Sequence, residues 1–202
     1  MNSFAEFVTL KGQYAHLVPL SLDYAADLKI ACAAGELDKT WYTWVPSVAG
    51  METEINRRLG LQAEGKMLPF AVIDPAANDG KGQAVGMTTY MNVDAAHRRL
   101  EIGSTWYAKR VQQSGLNTEC KLMLLTHAFE VLNCVAVEFR THFFNQQSRR
   151  GIERLGAKQD GILRNHMIMA DGLLRDTVVY SIITNEWPTV KTHLAYQLNK
   201  PR

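Results

Sequence analysis

The sequence predicts an α/β (α+β) unit built on a mixed, mostly antiparallel sheet. Three observations lead there. Apolar, strand-like segments separated by turn signals run from Leu68 to Tyr107, the pattern of an antiparallel meander. A long amphipathic helix, Thr118 to Leu132, then stands between two strand-like segments. A second hairpin pattern follows around Ala170-Asp171-Gly172. Strands alternate with helices only in part, so the sheet is expected to mix both pairings.

The 202 residues fit one domain, read here as 1–202. With 47% hydrophobic and 21% charged residues the chain has the composition of a protein with an ordinary core. A formal net charge of +2, from 22 basic and 20 acidic side chains with no basic block, gives no reason to expect a nucleic-acid partner. Cys32, Cys120 and Cys134 are odd in number and far apart, which suits a reducing compartment and no metal. No apolar run approaches the ~20 residues needed to span a bilayer, so no membrane is expected. The start, MNSFAEFVTLKGQ, lacks a basic segment followed by an apolar one, so the cytoplasm is the expected compartment.

In chain order, Phe7 to Leu20 reads as strand material ending at Pro19. Ser21 suits the N-cap of a helix through Ala33, with Asp23 in its first turn and Gly35 ending it. Asp38 to Gly50 carries Trp41, Tyr42, Trp44 and Pro46 with no period; such a stretch covers a core or walls a ligand. Met51 to Gln62 has helical spacing, and Leu68 to Ile73 is a short strand closed by Asp74-Pro75. Gln83 to Val93 and Arg98 to Tyr107 flank Asp94-Ala95-Ala96-His97 as a hairpin. After the amphipathic helix, Cys134 to Phe144 is a strand with Val135, Val137, Phe139, Thr141 and Phe143 on one side. Asn145 caps a helix from Gln146 to Leu155 that Gly156 stops. Gly161 to Met169 and Leu174 to Thr184 form the second hairpin, and Pro188 opens a closing helix over Glu186 to Leu198.

The stretch Leu100 to Phe129 carries the first chemical signal. A strand runs into a loop, Arg110 to Asn117, and the loop into a helix opening at about Asn117. Loop and helix start offer unpaired N–H groups and the positive end of a dipole, which suits a phosphate or pyrophosphate. Many such turns bind nothing, so the junction alone does not settle a function.

Three blocks in register do more. They are Gln112-Gln113-Ser114-Gly115-Leu116-Asn117; Asn145-Gln146-Gln147-Ser148 through Ile152-Glu153-Arg154-Leu155-Gly156 and Asp160-Gly161-Ile162-Leu163-Arg164; and Asp171-Gly172 with Arg175-Asp176-Thr177-Val178-Val179-Tyr180-Ser181 and Glu186-Trp187. Over Leu100 to Trp187 the chain resembles the GNAT superfamily of acetyl-CoA-dependent N-acetyltransferases, and within it the RimJ/RimL-type ribosomal-protein enzymes. The superfamily's coenzyme loop is Gln/Arg-x-x-Gly-x-Gly/Ala, and here Asn117 takes the last small position. Before Leu100 the agreement lies in element order alone.

The resemblance implies a sheet with helices on both faces whose two central strands splay apart, with acetyl-CoA in the gap. Its pyrophosphate would lie on Gln112, Gln113, Ser114, Gly115, Leu116 and Asn117. Backbone groups of Trp106 and Tyr107 would pair with the pantetheine arm as an added strand does. Asn145 is a further coenzyme candidate, although capping explains it too. Ser148 is the candidate donor to the departing thiolate, with a helix-start cap as the alternative. Glu101 is the candidate general base, with a solvent-facing strand glutamate as the alternative. His166, with His142 and Asn165, borders the expected cleft and offers a suitable pKa, with an incidental histidine as the alternative. Relatives often carry a tyrosine at the position of Ile152, which leaves Tyr107 and Tyr180 as other proton donors.

The activity implied is acetyl transfer from acetyl-CoA to a primary amine, on a protein N-terminus or a small molecule, in a ternary complex. A non-catalytic acyl-CoA-binding or interaction module is the alternative. No spacing suggests a metal, and a homodimer is expected from the resemblance.

Overall fold

In the computed structural model, which describes residues 6–200, the chain opens with a short hairpin, β1 (Leu10–Lys11) and β2 (His16–Pro19). The ends of the unit read as 1–202, and the first residues of the segment read for a targeting signal, lie outside the described residues. The continuous strand expected over Phe7 to Leu20 is thus broken by a turn. The cause lies far along the chain: the Glu119 carboxylate accepts from the backbone N–H groups of Gln13 at 2.9 Å, Tyr14 at 2.6 Å and Ala15 at 2.8 Å.

A 3-10 turn over Leu22–Tyr24 leads into α1 (Ala25–Ala33). Ser21 does not cap it as expected; its hydroxyl donates to the Asp23 carboxylate at 3.1 Å. After the irregular aromatic stretch come α2 (Met51–Ala63), β3 (Met67–Asp74), β4 (Gln83–Asp94) and β5 (Arg99–Tyr107). The amphipathic helix, α3 (Leu116–Thr126), starts two residues before Thr118 and ends in a π-helical turn over His127–Val131. Then follow β6 (Ala136–His142), α4 (Gln146–Glu153), β7 (Lys158–Ile168), β8 (Leu174–Ile183) and α5 (Trp187–Asn199), with Pro188 in the first turn of α5 as predicted.

The eight strands form one sheet in the order β1-β2-β3-β4-β5-β6-β8-β7. Every pairing is antiparallel except that of the central pair β5 and β6, which is parallel. The mixed, mostly antiparallel sheet is therefore as the sequence predicts. Adjacent β4 residues show how it is covered, because successive side chains point to opposite faces. Thr88 meets Lys121 of α3, whereas Thr89 accepts from Arg58 of α2. Helices thus lie on both faces, with α1 and α2 on one and α3 on the other. Leu100, Ile102, Tyr90, Val137 and Phe139 are buried under α3, and the Tyr90 hydroxyl donates to the Leu124 carbonyl at 2.5 Å. Among the described residues no helix is long and apolar enough to cross a membrane.

Candidate active site

The central strands pair only through Arg99 with Ala136, Leu100 with Val137 and Glu101 with Glu138. Beyond Glu101 they part, which is the splay the sequence resemblance implies. On its other side β5 stays paired with β4 up to Tyr107, but one extra residue bulges out at Ser104–Thr105, where Ser104 takes φ +48°. Such a bulge turns backbone groups out of the ladder. It is held from behind by Arg58, a fully buried guanidinium that donates to the Ser104 carbonyl at 3.1 Å, to Thr89 Oγ1 at 2.9 Å and to Glu54 at 2.7 Å. At the strand's end Gly86 lets β4 approach closely, since a Cβ there would lie 2.2 Å from the Trp106 carbonyl oxygen.

From Tyr107 the chain makes a 3-10 turn over Lys109–Val111 and enters the loop before α3. The Gln112 side chain donates back to the Tyr107 carbonyl at 3.0 Å, Gln113 sits in the left-handed region at φ +59°, and Ser114 Oγ donates to the Val111 carbonyl at 2.6 Å while accepting from Leu116 N–H at 3.2 Å. These bonds fix the loop. Among the described residues they leave the N–H groups of Gln113, Ser114, Gly115, Asn117 and Thr118 without acceptors. Gly115 has φ −67°, an ordinary helical value, so it is not needed for its backbone angle. Three buried atoms nearby also lack partners among the described residues, Trp106 Nε1, the Tyr107 hydroxyl and Asn117 Oδ1. Free N–H groups at a helix start suit phosphate oxygens, and an orphaned amide oxygen suits a ligand N–H or hydroxyl. The junction therefore fits coenzyme A, which carries both kinds of group.

On the α2 face of the gap lies Glu101. Its carboxylate is buried, accepts from Asn92 Nδ2 at 2.8 Å and lies 3.6 Å from Arg140 Nε. It leans along β5 toward the bulge, 2.8 Å from where a Cβ of Gly103 would stand. Burial raises its pKa above the usual carboxylate range, with the Asn92 amide and the Arg140 charge pulling the other way. A polar recess of about 240 Å³, lined by Asn92, Arg99, Glu138 and Arg140 among others, opens beside it.

His142 ends β6 on the same face. Its Nδ1 accepts the Phe144 N–H at 3.1 Å, which a backbone donor allows only if that nitrogen is unprotonated. Burial, then the Arg175 charge, holds its pKa down, so the neutral ring carries its proton on Nε2. Its register partner on β8 is Thr177. The Thr177 hydroxyl accepts from Arg175 Nε at 3.1 Å and lies 3.1 Å from His166 Nδ1. Of the two histidines singled out in the sequence, His166 thus bonds Thr177 and His142 stands opposite it on the neighbouring strand. The Asn165 backbone N–H is held by the Asp176 carboxylate at 2.8 Å. Trp41 stacks edge-on against His142 with centroids 5.2 Å apart and is 55% exposed, so this part of the aromatic stretch walls the cleft and does not cover the core.

On the α3 face, Asn145 caps α4 as predicted, its Oδ1 accepting from Ser148 N–H at 2.9 Å. The Ser148 hydroxyl makes no hydrogen bond among the described residues, so it is not itself the cap. Tyr180 is committed elsewhere: its hydroxyl bonds Glu153 and Arg149 and ties α4 to the sheet. Tyr107 buries its hydroxyl beside Cys120, and burial holds its pKa well above normal. Neither phenol is placed to give up a proton in the cleft.

Sequence reasoning missed Asn92 and Arg140, and it used Arg175 and Thr177 only as part of the third block, with no role at the site. One signal was present. The apolar alternation of β6 was read on its buried side, and its complement, Glu138, Arg140 and His142, is the polar face that borders Glu101. Among the described residues no group of three or more His, Cys, Asp or Glu side chains is gathered to hold a metal ion.

Comparisons with known proteins agree with this geometry. The acetyltransferase (GNAT) domain family matches residues 15–158. A Bacillus subtilis (strain 168) protein provisionally named ribosomal N-acetyltransferase YdaF is 34% identical over 106 residues, covering 52% of this chain and 57% of that relative. The chain thus spans little more than half the length of this curated relative. A GCN5-related N-acetyltransferase from Brucella melitensis superposes with a TM-score of 0.85 at 28% identity, over 96% of this chain and 86% of that one. Mycobacterium smegmatis RimJ, solved in complex with CoA-disulfide, shares the fold with a TM-score of 0.74 at 23% identity, over 91% and 88% of the two chains. The parted central strands, the loop of free N–H groups and the family match over residues 15–158 together show that the chain belongs to the GNAT acetyltransferase domain family.

Proposed function

We propose that the chain works as one domain that moves an acetyl group from acetyl-CoA to a primary amine, by direct attack in a ternary complex. The observation that carries this reading is the parting of β5 and β6 beyond Glu101, with a buried carboxylate on one wall and the loop of free N–H groups at its end. The acceptor is a protein N-terminal amine, as the printed name of the B. subtilis relative suggests, or a small-molecule amine.

Gln113 to Thr118 would hold the pyrophosphate, and the backbone of Trp106 and Tyr107 would hold the pantetheine arm. Acetyl-CoA supplies the activated thioester. Glu101 takes the proton that the amine sheds as its nitrogen bonds to the carbonyl carbon, and the recess toward Asn92 and Arg99 lets that proton leave. As the carbon–sulfur bond breaks, the Ser148 hydroxyl donates to the sulfur from the first turn of α4, where the dipole favours negative charge. His166 lines the acceptor side through Thr177. We place the enzyme in the cytoplasm, which its three free cysteines suit. Exposed Ile162, Leu163, Met167 and Ile168 on the edge strand β7 support a homodimer.

Calorimetry with acetyl-CoA, then a thiol-release assay over an amine panel, tests the reading. Binding without release over the panel would leave a non-catalytic module; no binding at all would sink both. Ser148→Ala is expected to lower kcat about tenfold to a hundredfold with acetyl-CoA affinity kept. An unchanged kcat would remove Ser148 from the chemistry. Gly115→Val places a branched side chain where backbone must approach phosphate, and a drop of about tenfold in coenzyme affinity is expected. Gly115 has an ordinary φ but is buried, so the melting temperature is read alongside: binding lost with the melting temperature kept assigns the effect to the phosphate approach.

A further inference from the structure

Among the described residues Arg175 has no carboxylate within ion-pair distance. Arg58 and Arg140, the other arginines bordering the gap, each hold one. Arg175 is half-buried, and its only hydrogen bond among the described residues is from Nε to Thr177, so both Nη groups are free. A partly desolvated guanidinium without an anion is costly to keep unless something pairs with it.

Among the described residues the acidic groups facing this cluster are already engaged. Glu101 is held by Asn92 and Arg140, and Glu138 by Arg99 and Arg140. Asp176 is held by Arg164 and the Asn165 N–H. The remaining groups on this face are donors: the two Nη groups of Arg175 and the Nε2–H of His142, which has no acceptor among the described residues. Arg175 lies close enough to both His142 and Glu101 for its charge to act on each. In register Glu101 faces Glu138 on β6 and, beyond it, Ser181 on β8, four residues along from Thr177. The Glu101 carboxylate leans along β5 toward the Thr177 end while Arg175 folds back onto Thr177, so the two side chains approach each other along the gap.

We propose that the acceptor carries a carboxylate within about one residue of its amine, and that Arg175 and His142 Nε2–H bind that carboxylate while the amine meets Glu101. This rests on the acetyl-transfer reading above. The carboxylate is either the α-carboxylate of an amino acid or an acidic side chain beside a peptide N-terminus. Trp41 and Phe144, both largely exposed beside His142, would contact the rest of the acceptor.

Thiol release by the full chain with acetyl-CoA is measured on two matched pairs: methionine against methionine amide, and Ser-Glu-Ala amide against Ser-Gln-Ala amide. The acidic member of at least one pair is expected to lead by about tenfold or more in kcat/KM, the scale of one hydrogen bond to a charged group. Preference confined to the first pair identifies an α-carboxylate, and preference confined to the second an acidic side chain. Arg175→Gln should raise KM for the acidic member about tenfold more than for the neutral member, with acetyl-CoA affinity kept; Arg175→Lys should restore part of the preference. Equal rates within both pairs would overturn the inference and leave acetyl transfer standing. So would equal losses on acidic and neutral members in Arg175→Gln. No release with any of the four would sink both.

Discussion

Glu101→Gln is expected to lower kcat/KM by about 10²–10³-fold, within the range that a positioned general base contributes. The substitution keeps the shape of the side chain and leaves an oxygen to accept from Asn92 Nδ2, so the strand should hold. What it removes is the site that takes the amine's proton. The pH profile separates that role from a structural one. Burial raises the Glu101 pKa, and a base works only when ionised, so wild-type kcat/KM should fall as pH drops through a value above the ordinary carboxylate range. In Glu101→Gln that acid limb should vanish along with most of the rate. A variant that loses rate but keeps the limb would mean another group is the base. His142 is poorly suited to be that group, because Nδ1 is occupied by the Phe144 N–H and Nε2 already carries the proton.

This assignment joins the part of the molecule that the sequence made legible to the part it did not. Asn145 caps α4, Gly156 follows it at φ +96° and Gly172 turns the last hairpin at φ +83°, each set by chemistry within a few residues. The coenzyme loop belongs to the same class, since free N–H groups at a helix start follow from chain order. The acceptor side does not. Arg58 on α2 reaches Ser104 and Glu119 on α3 reaches Gln13 to Ala15 only because the helices pack against segments distant in sequence, and Arg175 shares Thr177 with His166 through the register of β7 and β8. A one-residue slip of β8 would send Arg175 and Thr177 to the other face. Ser21 shows the converse limit: a good local cap residue was overruled once the chain entered α1 through a 3-10 turn.

Lys121→Met is expected to stabilise the protein at pH 7 by about 2 kcal/mol, with the gain fading as pH rises. Lys121 lies on α3 behind the β5 bulge, and its Nζ reaches only hydroxyls, Thr105 Oγ1 at 3.0 Å and Thr88 Oγ1 at 3.4 Å. No carboxylate among the described residues balances the charge, and burial pulls its pKa down to about 8. In the unfolded chain the same amine titrates near 10.4. Above that pH it is neutral in both states and carries no penalty. As pH falls from there to about 8 the unfolded chain takes up a proton and the folded one does not, so stability declines. Below about 8 both are charged and the penalty is constant, about 3 kcal/mol for a shift of this size. Methionine fills a similar volume without charge, and Thr88 and Thr105 can still bond each other at 2.8 Å. The lost lysine donors take back part of the gain. Urea unfolding of both proteins at pH 7 and at pH 9.5 reads the difference directly. A variant less stable than wild type by the same amount at both pH values would show that Lys121 acts through its hydrogen bonds and packing, with no net cost from its buried charge.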